Sequence, residues 1–280
     1  MQIGIGLPTT TPGADRALFL EWVRQAEQGP FSTLGVFDRL AYDSLDPLIS
    51  LAAAAAITSR IRLATTILAG PLYNTAWLAK SLASLDVLSS GRLVVGLAIG
   101  ARRSDYDAAG LSHSSRGRRL GQQLAQLREY WEGESIGPQP ACSGGPPLLV
   151  GGLSDRTFAR VARYANGYLH GGGPPATFSK AAAKARAAWH DAGRPDRLQL
   201  WGMGYYALGE KEVAAGTQYL KHYYEFAGPF VEKIAAGLLT TPQAVVAFSR
   251  GYQEAGCDEL ILFPTVSDIS QLERLAEVIA

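Results

Sequence analysis

Apolar positions along the chain switch between two periods. From residue 61 the sequence reads IRLATTILAG PLYNTAWLAK SLASLDVLSS GRLVVGLAIG. An apolar, β-branched run over 61–68 stops at Gly70-Pro71, and helical spacing follows at Ala76, Ala79, Leu82, Ala83, Leu85 and Val87. Ser90-Gly91 closes that helix, and 93–99 is a second apolar run. Both runs are apolar on two faces, as strands are when crossover helices cover a parallel sheet.

The same grammar repeats along the chain. Strands are predicted at 1–7, 33–37, 147–152, 167–170, 198–208 and 258–263, in addition to the two above. Between them, 15–28 is a helix with Leu18, Trp22, Val23 and Ala26 inward, and Asp46-Pro47 caps and opens another. A polar, arginine-rich loop follows Gly100, then a helix over about 115–131 and a surface loop over 132–147. Ser154-Asp155 caps the next helix; others run over 176–192, 211–239 (broken at Gly228-Pro229), 241–255 and 269–278. Eight strands each followed by a helix, in a length close to the ~250 residues usual for the fold, predict a (β/α)8 TIM barrel spanning 1–280 as one domain. A doubly wound open sheet is the other arrangement this alternation permits.

Composition narrows the function classes. With 47% hydrophobic and 18% charged residues a large core is available, and a net charge of +1 gives no general electrostatic case for nucleic acid or an anionic membrane. Cys142 and Cys257 are spaced for neither a zinc site nor a disulfide framework, which fits a reducing cytoplasm. Residues 3–7 open directly as a strand, without the pattern of a signal peptide.

In such barrels the chemistry sits where strands end. No lysine lies at a predicted strand end, which speaks against a Schiff-base aldolase. Only His170 of the four histidines is at the mouth, with no carboxylate cluster to make a metal site. It is either an acid or base or a pocket-lining residue. Aromatic and glycine-rich ends suit a planar cofactor that brings its own reactivity. Gly151-Gly152-Leu153-Ser154, between a strand and a helix, offers amides and a hydroxyl to an anion, or is simply a tight turn. Arg102-Arg103 could add charge for a phosphate or be solvated. Tyr168, Trp201, Tyr205 and Tyr206 point to a mostly apolar organic substrate, although strand alternation places some of them in the core.

These stretches carry a resemblance. IGIGLP at the start, AEQGPFSTLGVFDRL, LAKSLASLDVLSSGRLVVGLAIG, RRSDYDAAGLSHSSRGRRL with its later REYWEGE, PPLLVGGLS and the closing AGCDELILFP together resemble the bacterial luciferase-like superfamily of flavin- or deazaflavin-dependent oxidoreductases. The resemblance covers essentially the whole chain. It implies a barrel, often dimeric, that uses reduced FMN for monooxygenation of a small organic substrate with O2, fed by a separate reductase. The alternatives are hydride transfer with coenzyme F420 and a non-catalytic flavin-binding barrel.

Carried across, the resemblance implies that Gly151, Gly152 and Ser154 hold the cofactor phosphate; Leu153, Gly100 and Arg102 are further candidate cofactor-binding residues. Thr65 and Thr66 would lie beside the ring, and Asp38, Arg39 and His170 are the candidate catalytic residues. Arg39 stands where a histidine often follows the aspartate, and Ala101-Arg102-Arg103 replaces an acidic residue of some deazaflavin-using relatives. The large insertion of luciferase itself is missing, so light production is not implied. The resemblance further implies a bulge with a cis Thr66-Ile67 peptide at the end of the third strand. A dimer interface is expected on the second and third helices, where Leu48, Leu51 and Ala52 to Ala56 permit close approach.

Overall fold

The computed structural model describes residues 1–279 and forms a closed, all-parallel barrel in sequential strand order. The strands are β1 (Gln2–Gly6), β2 (Thr33–Val36), β3 (Arg62–Ala69), β4 (Leu93–Ala98), β5 (Leu148–Gly151), β6 (Gly167–Leu169), β7 (Gln199–Tyr206) and β8 (Glu259–Pro264), with β8 closing on β1. Outside them run α1 (Arg16–Gln28), α2 (Pro47–Ala55), α3 (Thr75–Leu88), α4 (Arg103–Ala108), α5 (Arg116–Glu132), α6 (Asp155–Tyr164), α7 (Pro175–Asp191), α8 (Glu210–Tyr223), α9 (Val231–Ala235), α10 (Pro242–Glu254) and α11 (Ser270–Ile279). The predicted barrel stands, and closure rules out the open sheet.

Local chemistry explains the boundaries. Asp15 and Asp46 accept from the Leu18 and Ile49 amides at 2.8 and 2.9 Å, capping α1 and α2 at roughly 1 kcal/mol each. At the end of α3, Ser90 and Gly91 both take left-handed conformations, φ 56° and 78°, which end the helix where the sequence predicts. The arginine-rich segment after Gly100, expected as a loop, contains the six-residue α4. The helical region over 211–239 breaks at Gly228-Pro229 as expected, Gly228 taking φ 56°, and is further divided into α8, a 3-10 stretch Glu225–Phe230 and α9.

Strand alternation makes two apolar layers. Along β7, Trp201, Met203 and Tyr205 point into the barrel, while Gly202 and Gly204 leave space on the outer face for Tyr252 and Phe248 of α10. Inside, Gly6 and Gly35 face Phe263 and Ile261; a Cβ at Gly6 would lie 2.1 Å from the Phe263 ring. The barrel floor is charged: buried Glu259 bonds Ser32 and Arg62, and Arg62 lies over the Trp201 ring at 5.2 Å. No helix among the described residues is long and apolar enough to cross a membrane.

Candidate active site

The mouth begins with an irregular strand. Against β4, Thr65 pairs with Val95 and Leu68 with Leu97, so β3 carries one extra residue between them, a bulge. The Thr65 hydroxyl donates to the Gly96 carbonyl at 3.0 Å and accepts from its amide at 2.9 Å, and the Thr66 hydroxyl donates to the Val36 carbonyl at 3.2 Å. Both threonines are therefore spent on holding the bulge. What the bulge offers the mouth is Ile67, half-buried, whose side chain occupies the space that a Cβ on Gly151 would need, 2.4 Å away. The expected bulge is present, but the Thr66-Ile67 peptide is trans. Among the described residues the cis bond is Gly137-Pro138, where the tertiary amide makes cis cheap.

Asp38 and Arg39 follow β2 and separate at once. Asp38 accepts from the Ala69 amide at 2.9 Å and from the Tyr73 hydroxyl, and burial pushes its carboxyl up to about 6. Arg39 turns to Asp105 of α4, Nε to Oδ2 at 3.1 Å, with the Ala41 amide donating to the same carboxylate at 2.9 Å. Its guanidinium lies over the rings of Tyr42 and Tyr223 at 4.8 and 5.4 Å. Phe37 stacks on Phe263 at 3.8 Å beneath them.

Tyrosines form the opposite wall. Tyr205 of β7 meets Tyr224 hydroxyl to hydroxyl at 2.5 Å, and Tyr219 of α8 bonds Thr10 at 2.7 Å. Arg102 lies among them, its guanidinium 4.4 Å from the ring centres of both Tyr223 and Phe226. Gly100 just before it takes φ 66°, a left-handed turn that carries the chain away from β4 and brings it close to Ala69. Arg102 is thus held on the tyrosine wall and not with Ser154.

Between the end of β4 and the heads of α5 and α6 lies an open cleft of about 870 Å³, lined by Ser154, Arg116, Arg118, Arg156 and Arg160 among others. Ser154 caps α6, accepting from the Thr157 amide at 3.3 Å. Gly152, at φ 133°, brings the chain so close to Thr157 that a Cβ would sit 2.7 Å from its hydroxyl, while Leu153 turns out to solvent. Among the described residues, none of the four arginines is paired with a carboxylate; Asp155 is engaged by Lys184 at 3.0 Å. Buried Arg116 Nε has no partner, and Arg160 is held below the usual arginine range by burial and by Arg156 beside it. A helix N-terminus surrounded by unneutralised cations has the chemistry of a candidate anion site.

The family description "luciferase-like monooxygenase" matches residues 1–256. The chain belongs to that family. A protein of Mycobacterium tuberculosis (strain ATCC 25618 / H37Rv), itself named only as uncharacterized, is 30% identical over 225 residues, covering 70% of this chain and 77% of its own length. The FMNH2-dependent dimethylsulfone monooxygenase of Pseudomonas fluorescens (strain Pf0-1) is 31% identical over 156 residues, 48% of this chain and 42% of that one. Among solved structures, an F420-dependent secondary alcohol dehydrogenase superposes with a TM-score of 0.81 at 17% identity, over 99% of this chain and 97% of the other.

In this luciferase-like barrel the structure brings Ser154, Gly152 and Gly151 to one rim, with Asp38, Arg39, the β3 bulge and Arg102 across the mouth. It does not bring His170 there. That side chain leaves the barrel on the outer face of β6, among Phe178 and Tyr252, and burial holds its ring down to about 4. Sequence pattern alone does not single out the four cleft arginines, although RGRRL at the head of α5 and the two arginines four residues apart in DRTFAR are signals of them.

Proposed function

We propose that this luciferase-like protein is the oxygenating part of a flavin-dependent monooxygenase, receiving reduced FMN from a separate reductase and acting on a small organic substrate. The observation that carries this reading is the cleft of Ser154 and four unpaired arginines at the head of α6, beside an apolar barrel mouth. Its donors, a capping hydroxyl and guanidinium groups including an orphaned buried Nε, match a doubly charged phosphate monoester. FMN, when bound in its reduced form, supplies the electrons by which one atom of O2 enters the substrate and the other leaves as water. The chain supplies shape and dryness: Ile67, Leu169, Phe37 and Phe263 wall the mouth against water, and Gly151 leaves the gap that the bulge needs. Asp38, its carboxyl raised to about 6 by burial, is an acid at the mouth able to exchange a proton near neutrality. The name of the Pseudomonas relative, FMNH2-dependent, supports the same cofactor.

Titration of the purified protein with FMN, riboflavin and F420, followed by oxygen consumption with reduced FMN, tests this. FMN is expected to bind and riboflavin to bind poorly. Tight F420 binding without FMN binding would move the chemistry to hydride transfer, the class of reaction to which the F420-dependent alcohol dehydrogenase belongs.

The same reading includes a homodimer. Leu51, Ala54 and Ala55 of α2 pack against the barrel, so the expected alanine run is partly core. Exposed instead are Ile49 of α2 at 72% and Trp77 and Leu88 of α3 at 70% and 67%, with Ser81 and Ser84 between them on the same helical face. Such a face supports a second copy.

A further inference from the structure

Two arginines share the ring of Tyr223, and only one has a counter-charge. Arg39 is neutralised by Asp105. Arg102, at the end of the β4–α4 connection, forms no ion pair among the described residues, although it lies over Tyr223 at 4.4 Å, Phe226 at 4.4 Å and Tyr224 at 5.5 Å. Its Nη2 donates to the Tyr223 carbonyl at 3.1 Å, while its Nε is shielded from solvent and bonded to nothing. A second cation held near the first, in an aromatic cage that excludes water, costs free energy until an anion arrives. The phosphate grip described above lies in a different cleft, lined by other arginines. The free charge on the tyrosine wall is therefore left for the substrate.

We propose that Arg102 reads a carboxylate on the substrate, and that the substrate class is a small, flat, largely apolar carboxylic acid. This rests on the flavin-monooxygenase reading of the same mouth. A planar guanidinium fixed by rings on its faces presents its edge to a carboxylate in a forked, two-bond geometry, which a neutral amide or alcohol cannot return. The body of the acid would lie against the exposed Phe226 ring beside the guanidinium, since Phe37, Phe263 and Tyr205 already pack on one another. Tyr205 and Tyr224 satisfy each other's hydroxyls, so they offer faces more than hydrogen bonds.

The test uses the full chain loaded with oxidised FMN, so that no turnover occurs, and calorimetric titration with benzoate and 1-naphthoate against their neutral amides. The acids are expected to bind at least ~10-fold more tightly than the amides, the scale of one charge-assisted contact. Arg102→Met should level acids and amides, Arg102→Lys should restore part of the preference, and FMN affinity should stay within about twofold in both. Equal binding of acids and amides by the parent, binding of neither acid up to millimolar concentration, or a preference that survives Arg102→Met would overturn the proposal. So would a ~10-fold loss of FMN affinity in Arg102→Met, which would return this arginine to the cofactor. If the parent binds no FMN, the flavin reading falls; the same titrations without FMN then still report whether Arg102 selects acids.

Discussion

Arg39 and Asp105 form an ion pair across the mouth with 7% of each side chain exposed, joining the loop after β2 to α4. The pair fixes a segment that has little apolar surface of its own, since α4 is six residues long and buries only Asp105 and Tyr106. Removing one partner leaves the other charge buried and also orphans the Ala41 amide. Asp105→Ala is therefore expected to lower stability by about 3 kcal/mol, and a joint Arg39→Met, Asp105→Leu change should recover much of that loss. Urea unfolding of the two variants and the parent measures it; a joint variant no more stable than Asp105→Ala would show that the pair is not coupled.

Asp38 gives the fold a pH dependence of defined sign. Its carboxyl is raised from the ordinary 3.8 to about 6, first by burial, against the opposing bonds from Ala69 and Tyr73. A raised acid holds its proton longer folded than unfolded, so the native state binds more protons between those values and its stability falls as pH rises through them. Its contribution is complete below about 4 and lost above about 6. Unfolding midpoints followed across that range should show the fall in the parent and a flatter line in Asp38→Asn.

The proposed phosphate grip should separate two ligands that differ only by the phosphate. Arg160→Met removes one of the unpaired cations, and Gly152→Val forces a branched side chain into φ 133° and against the Thr157 hydroxyl. Each is expected to weaken FMN by ~10-fold or more, with Ser154→Ala milder, while the weak binding of riboflavin stays unchanged. Flavin fluorescence titrations give all eight values. Parallel losses for FMN and riboflavin would mean that the variants disturb the ring site instead.

Trp77→Asp tests the exposed face of α2 and α3. The parent should sediment as a dimer at micromolar concentration and the variant as a monomer, with circular dichroism unchanged because the indole contributes little to the core. A parent that sediments as a monomer would remove the interface.

Much of this architecture was legible in the chain because its signals are local. Apolar runs on two faces mark the strands, and Asp15, Asp46 and Ser154 announce their helices by capping chemistry. The six residues of α4 are too few to show a period, so a polar loop was the natural expectation. The arginine cleft is a convergence of two helix starts that are distant in sequence, and periodicity reports which face is buried, never which exposed residues meet. His170 was avoidable: with Leu169 pointing inward, a period of two sends its neighbour outward. Thr65 and Thr66 are legible as residues of β3, but that their hydroxyls bond neighbouring strands depends on the bulge.

The glycines of the inner wall make the barrel asymmetric, and that asymmetry sets which substitutions can reshape it. On β1 and β2 the wall is already as thin as a polypeptide can be, and any side chain gained at Gly6 or Gly35 strikes Phe263, Ile261 or Thr66. Volume can be released from the bulky side, by shortening inward side chains such as Phe263 of β8 or Ile67 of the bulge. A substitution that enlarges the barrel interior therefore has to fall on the bulky strands, because the glycine strands have nothing left to remove.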